Sequence, residues 1–150
     1  MQIRKATSND IAAIELIEED ALGTSLGKQF LTNELNNNPF ANYFIVEIKK
    51  TPVGYIGIRI VDDHAEIINV AVLSAYQNQG YGTFLFEEVL TLMTQYGVRG
   101  MSLEVRRSNE RAIRFYQKFG FEQTRLRPNY YQNEDALVFF KEFEHDYYGN

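Results

Sequence analysis

Neither cysteine nor tryptophan occurs among the 150 residues, and histidine appears only twice. The missing thiols exclude disulfides, thiolate metal sites and an acyl-enzyme built on cysteine. His64 and His145, with no carboxylate at ligand spacing to both, are not expected to hold a metal. Positive charge is also short: 15 Lys and Arg face 20 Asp and Glu, and the net charge of −5 has the wrong sign for gripping nucleic-acid phosphates. An acidic chain attracts a basic protein or amine, although mild acidity also serves solubility alone. No apolar run approaches about 18 residues, and no basic stretch leads into an apolar one at the start, so neither membrane insertion nor export is signalled. The cytoplasm is the expected location, and oligomeric state is not legible. Repeats, low-complexity tracts and linkers are lacking, so one domain over residues 1–150 is expected, with 146–150 as a frayed tail. What is plentiful is core material: 45% hydrophobic residues, including 10 Tyr and 11 Phe.

Met1 to Ala6 reads as a strand, and Thr7 with Asp10 three positions later forms a helix-start signal. Ile11, Ile14, Ile17 and Ala21 then share one helical face, with Glu15, Glu18 and Glu19 expected outside it. Lys28 to Leu35 predicts a short helix ended by Asn36-Asn37-Asn38-Pro39. Phe44 to Ile48, Val53 to Val61 and Ala65 to Val72 are β-branched and aromatic runs that predict an antiparallel meander. Gly54 and Gly57 inside the second run signal a bulge or a close backbone approach. A helix follows with Leu85, Val89, Leu92, Met93 and Tyr96 as its inward stripe and Gly97 as its stop. Met101 to Val105 predicts a short strand, and Ser108 a cap for a helix carrying Ala112, Phe115, Tyr116 and Phe119 before Gly120. Glu122 to Leu126 and Ala136 to Phe143 predict the last two strands, with Asn129-Tyr130-Tyr131 in a long hairpin connection. The order β-α-α-β-β-β-α-β-α-β-β predicts an α/β (α+β) fold, with helices on both faces of a mixed, mostly antiparallel sheet.

The stretch around Gly80 and Gly82 carries the chemistry. A β-branched strand ending at Val72, a polar turn and a long helix place free backbone N–H groups at the positive end of a helix dipole. A phosphate-bearing ligand is expected there. It is not a nucleoside triphosphate held by a Walker loop, because Gly82 is followed by Thr83 and Phe84 rather than by Lys and Ser/Thr. Nor is it a dinucleotide, because the third glycine of that fingerprint is replaced by Leu85. On spacing alone, a tight turn at a helix entrance explains Gly80-Tyr81-Gly82 as well.

Asn69-Val70-Ala71-Val72 followed by Tyr76-Gln77-Asn78-Gln79-Gly80-Tyr81-Gly82 resembles the acetyl-CoA motif of the GNAT N-acetyltransferases. Leu103-Glu104-Val105-Arg106, Ser108-Asn109, Phe115-Tyr116, Gly120-Phe121 and Arg127-Pro128-Asn129-Tyr130-Tyr131 are similar, in order and spacing, to the second half of bacterial ribosomal-protein-alanine N-acetyltransferases. The resemblance is dense from Asn69 to Phe139 and loose before it. It implies a fold in which the strand ending at Val72 and the strand Met101 to Val105 splay apart to admit the pantetheine chain. It further implies that Val70, Ala71, Val72, Gln77, Asn78, Gln79, Gly80, Tyr81, Gly82, Thr83 and Asn109 bind acetyl-CoA. The implied acceptor is a primary amine, foremost a protein N-terminus, with a small amine or a lysine side chain as the alternative and a non-catalytic acyl-CoA-binding module as a third reading. The chain departs from the family where a Pro-Trp pair is usual and Gly23-Thr24-Ser25-Leu26 stands instead.

Transfer of acetyl from a thioester to an amine needs a base, a polarised carbonyl and a proton for the leaving thiolate. By resemblance Glu104 is the base, acting directly or through water, and Tyr116 the acid; read as bare residues, Glu104 equally suits an ion pair with Arg106 or Arg107, and Tyr116 the core. Asn109 suits either the coenzyme or a helix cap, and Tyr130 and Tyr131 either a clamp on the acceptor or packing under the hairpin.

Overall fold

The computed structural model describes residues 1–143; the expected tail at 146–150 lies outside the described residues. After strand β1 (Gln2–Lys5), Thr7 and Asp10 close a capping box, with the Thr7 N–H donating to Asp10 at 2.8 Å. Arg4 fastens this corner by donating to both Asp10 oxygens at 2.8 and 2.7 Å and reaching Glu47 at 3.1 Å. Helix α1 (Ile11–Leu22) buries Ile11, Ile14 and Ile17 as its spacing requires, and α2 (Lys28–Asn37) follows. Strands β2 (Ala41–Ile48), β3 (Thr51–Val61) and β4 (His64–Val72) form the meander, then come α3 (Tyr81–Gln95), β5 (Gly100–Arg106), α4 (Glu110–Lys118), β6 (Glu122–Tyr131) and β7 (Glu134–Glu142).

The seven strands lie in the order β1-β2-β3-β4-β5-β7-β6. Every neighbouring pair is antiparallel except β4 and β5, which run parallel and pair only at His64↔Gly100, Ala65↔Met101 and Glu66↔Ser102. Beyond Ser102 the two strands part. Gly57 shows the close approach its position signals: a Cβ there would fall 2.5 Å from the Tyr43 ring, and the ladder shifts register directly after it.

Helices cover both faces, but unequally. Leu85, Phe86, Val89 and Met93 of α3 and Tyr116 of α4 pack with Ile56, Met101, Leu103 and Phe139 across the width of one face. On the other face α1 and α2 cover Tyr43, Ile45, Tyr55 and Ala71, and no residue of β5, β6 or β7 joins that cluster. The second half of this face therefore stays open, forming a groove of about 390 Å³ lined by His64, Glu66, Ser102, Glu104, Thr124 and Phe140 among others.

Four expectations need correction. Glu18 is not on the solvent side of α1 but fully buried, because a ring of neutral donors meets its carboxylate. Tyr96 is 49% exposed, since α3 ends at Gln95, and Phe86 takes the buried aromatic position instead. Asn109 rather than Ser108 caps α4, its Oδ1 accepting from the Ala112 N–H at 3.1 Å. The last hairpin has no long connection: β6 runs through Tyr131 and β7 begins at Glu134, so Asn129, Tyr130 and Tyr131 end the strand. Its pairing with β7 nonetheless breaks between Arg127 and Tyr131, where Asn129 adopts φ +52°. Among the described residues, no helix is long and apolar enough to cross a membrane.

Candidate active site

Where β4 and β5 part, the edge of β4 from Ile67 to Val72 has no strand beside it. The Leu73 N–H donates to the Val53 carbonyl on the β3 side at 2.8 Å, so alternation along the strand turns the backbone of Val72 and Val70 toward the open edge. Ala71 has the opposite sense; it pairs with Tyr55 and buries its methyl under α1. The Val72 carbonyl is already taken by the side-chain amide of Gln77 at 2.8 Å, which leaves its N–H free for a ligand.

Gly80 opens α3 at φ +89°, a left-handed conformation natural to glycine, and no side chain caps the helix. The N–H groups of Tyr81, Gly82 and Thr83 in the first turn have no intrahelical carbonyl to reach. Around them the side chains are turned back onto the protein. Asn78, itself left-handed at φ +62°, accepts from Arg111 of α4 at 2.6 Å, and Gln79 donates to the Ala75 carbonyl at 2.9 Å. Asp20 of α1 accepts from both the N–H and the hydroxyl of Ser74, pinning the turn from the other side. What remains on offer is a cluster of main-chain donors at a helix start, a setting suited to an anion, beside a strand edge that no other strand covers.

Glu104 stands on β5 just past the parting and faces the groove. Its partner is neither Arg106, which pairs with Glu134, nor Arg107, which pairs with Asp135; it is Arg127 from β6, whose Nη1 donates to Glu104 Oε1. The Arg127 guanidinium lies over the Tyr130 ring at 4.3 Å, and that of Arg106 over Tyr131 at 4.2 Å. The Glu104 carboxylate holds the Tyr130 phenol above its usual pKa by hydrogen bonding. Tyr131 is raised by burial and then by the same carboxylate.

Tyr116 comes from the opposite side of the sheet. It is 7% exposed, among the rings of Phe86, Phe115 and Phe121 at 5.6, 5.5 and 5.9 Å. Its hydroxyl makes no hydrogen bond with the other described residues, an uncommon state for a buried phenol. Burial raises its pKa, with Tyr131 adding to the effect, so it stays protonated at neutral pH. Tyr131 is thus the electrostatic neighbour that Tyr116 and Glu104 share. Asn109 uses its carboxamide oxygen on the α4 cap, which leaves its NH₂ group for other contacts.

Sequence reasoning alone does not single out Glu18. Its carboxylate accepts from Ser25 Oγ at 2.6 Å, from the Leu26 N–H at 3.2 Å, from Asn69 Nδ2 at 3.2 Å and from the Tyr55 hydroxyl. It therefore ties the α1–α2 connection, where the usual Pro-Trp pair is missing, to β3 and to the start of the open β4 edge. The signal is spacing: Glu18 follows Ile11 and Ile14 on the buried stripe as well as it follows the polar one. Among the described residues, no group of three or more His, Asp or Glu side chains could hold a metal ion.

Comparison with known proteins agrees with this geometry. Residues 11–121 match the sequence profile described as the acetyltransferase (GNAT) family. A Bacillus subtilis (strain 168) protein named "Putative ribosomal protein bS18-alanine N-acetyltransferase" is 37% identical over 138 residues, covering 91% of each chain. The ribosomal protein bS18-alanine N-acetyltransferase of Escherichia coli (strain K12) is 32% identical over 124 residues, covering 80% of this chain and 76% of its own. The crystal structure of the ribosomal-protein-S18-alanine N-acetyltransferase from Escherichia coli superimposes with a TM-score of 0.90 at 27% identity, over 97% of this chain and 95% of that one.

Proposed function

The chain belongs to the GNAT acetyltransferase family, an N-acetyltransferase that draws its acetyl group from acetyl-CoA, and on that premise we propose that its acceptor is the N-terminal α-amino group of a ribosomal protein of the bS18 type. The acceptor follows from the Bacillus subtilis and Escherichia coli relatives, at 37% and 32% identity, both named for that substrate. The observation that carries the chemistry is the parting of β4 and β5 after Glu66↔Ser102, which leaves an uncapped helix start, an open strand edge and Glu104 around one gap.

In this reading the amides of Gly80 to Thr83 hold the diphosphate of the coenzyme, and the open edge of β4 holds its pantetheine arm, foremost through the Val72 N–H, since the Val70 N–H donates to Asn69 Oδ1 at 3.2 Å. The bound coenzyme supplies an acyl carbon activated as a thioester. Glu104 takes a proton from the acceptor, a modest task because an α-amino group has a pKa of about 7.7–8.0 against about 10.4 for lysine. Tyr116 gives its proton to the departing sulfur. Its raised pKa does not forbid the step, since the apolar surroundings that disfavour a phenolate disfavour a thiolate equally. Tyr130 and Tyr131 line the acceptor's path beside Glu104, and the Asn109 carboxamide is free to donate toward the coenzyme.

The test is an acceptor panel: acetyl-CoA with a peptide copying the bS18 N-terminus, the same peptide with its α-amine blocked and a lysine added, and a polyamine. Thiol release confined to the first, with the acetyl group located on the N-terminal nitrogen by mass spectrometry, supports the proposal. Transfer to the blocked peptide or the polyamine at an equal kcat/KM overturns the acceptor assignment.

A further inference from the structure

We infer that Arg127 is a latch on the acceptor site: its guanidinium occupies the place against Glu104 that the acceptor's ammonium must take, and an acceptor enters by displacing it. The inference rests on the reading of Glu104 as the group that receives the acceptor's proton.

Three observations carry it. First, the Glu104 side chain is only 19% exposed, and the cation that covers it is Arg127, itself 44% exposed and therefore able to leave toward solvent. Second, Arg127 reaches Glu104 across an intervening strand: it sits opposite Ala136 of β7, whereas Glu104 sits opposite Val138. The small Ala136 side chain lets the long arginine lie diagonally over β7, and the Tyr130 ring backs the guanidinium at 4.3 Å. Third, Arg127 stands where β6 loses its ladder with β7, and the stretch up to Tyr131 is held by the Asn129 N–H on the Asp135 carboxylate at 2.9 Å. A contact carried on such a segment is easier to open than one inside a paired strand.

The chemistry makes displacement a requirement. A guanidinium does not give up its proton in a protein, so Arg127 can act as neither acid nor base at Glu104. Its positive charge also repels a second cation, and an acceptor amine approaches as an ammonium. One charge pair is exchanged for another, so the net gain from the ammonium alone is close to zero. An acceptor must add contacts of its own along the groove. A peptide can do so; a small amine cannot. The latch therefore sets the same threshold for every acceptor, one that contacts along the groove help to meet.

The test uses the whole chain, saturating acetyl-CoA, the N-terminal peptide and alaninamide as acceptors, and the variants Arg127→Gln, Arg127→Lys and Glu104→Gln. Arg127→Gln is expected to lower the KM of both acceptors by about two- to fivefold, the range of an exposed ion pair, with the KM for acetyl-CoA unchanged. Arg127→Lys, which keeps the cation, is expected to stay near the parent. A lower KM is a gain that mere damage to the fold does not produce. An unchanged or raised acceptor KM in Arg127→Gln overturns the latch, because Arg127 would then be inert or would itself bind the acceptor. Glu104→Gln separates the two readings: parental activity in that variant overturns the assignment of the base, whatever Arg127 does.

Discussion

Gly82 offers a substitution whose effects on stability and on coenzyme binding have opposite signs. Its φ is not positive, and a Cβ built on it would meet only Val72 Cγ2 at 3.8 Å, an ordinary van der Waals contact. The fold therefore has no need of glycine in this first turn of α3. Gly82→Ala is expected to stabilise the free protein by about 0.4–1 kcal/mol, because alanine loses less chain entropy on folding. In a chain of this size that raises the melting temperature by about 1–4 °C. The coenzyme experiences the reverse. A methyl group between the first-turn amides and the diphosphate removes at least one hydrogen bond to a charged group, worth about 1.5–3 kcal/mol, so affinity falls by about 10- to 150-fold. Calorimetric titration with acetyl-CoA and a thermal melt of the same preparation measure both. Gly80→Ala is the contrast, since φ +89° penalises any side chain and lowers the melting temperature. Unchanged affinity in Gly82→Ala, with the fold intact, would refute the placement of the diphosphate on these amides.

Tyr116→Phe is expected to lower kcat by about 100-fold or more with the acetyl-CoA KM little changed; the melting temperature holds or rises, because the hydroxyl removed is buried and has no hydrogen-bond partner among the described residues. Glu18→Ala leaves Tyr55, Asn69, Ser25 and the Leu26 N–H without their common acceptor and is expected to destabilise the chain by about 3 kcal/mol in urea denaturation. A loss under about 1 kcal/mol would mean that water replaces the carboxylate there. Stability is also expected to fall in acid. Hydrogen bonds from Arg4 hold Asp10 below the usual carboxylate range against its burial, and for Glu34 burial pushes upward but is outweighed by Arg59, Asn38 and Tyr43. A depressed folded-state pKa gives stability that is complete above the unfolded value of about 4 and is lost as pH falls through the folded one. Chemical denaturation at pH 7 and pH 3 should therefore show a smaller difference for Asp10→Asn than for the parent.

Much of this architecture is legible in the chain because local signals and tertiary demands coincide. Thr7 and Asp10 announce a capping box and form one, Gly57 announces a close approach and meets the Tyr43 ring, and Gly80 opens a helix. The failures share a different cause. Glu18 lies on a boundary between the apolar and polar stripes of α1, and only the donors arriving from β3, β4 and the following loop decide which way it turns. Tyr96 fits the helical stripe by spacing, but the helix stops one residue short of it. The partner of Glu104 is a matter of sheet order: with β7 between β5 and β6, the arginine that reaches it is 23 residues away rather than two or three. No periodicity encodes which strands become neighbours.

The unequal dressing of the two sides of the gap has a consequence for how such a chain can change over generations. The surface proposed for the coenzyme is made of peptide groups at the start of α3 and along β4, with Gln77, Asn78 and Gln79 folded back onto the protein. Peptide groups are the same whatever side chains accompany them. The groove beyond Glu104 is instead written in side chains: His64, Glu66, Ser102, Thr124. Single replacements there can redirect the chain to a new amine while its hold on the activated acyl carrier stays as it is, so selectivity can drift without the loss of the reaction.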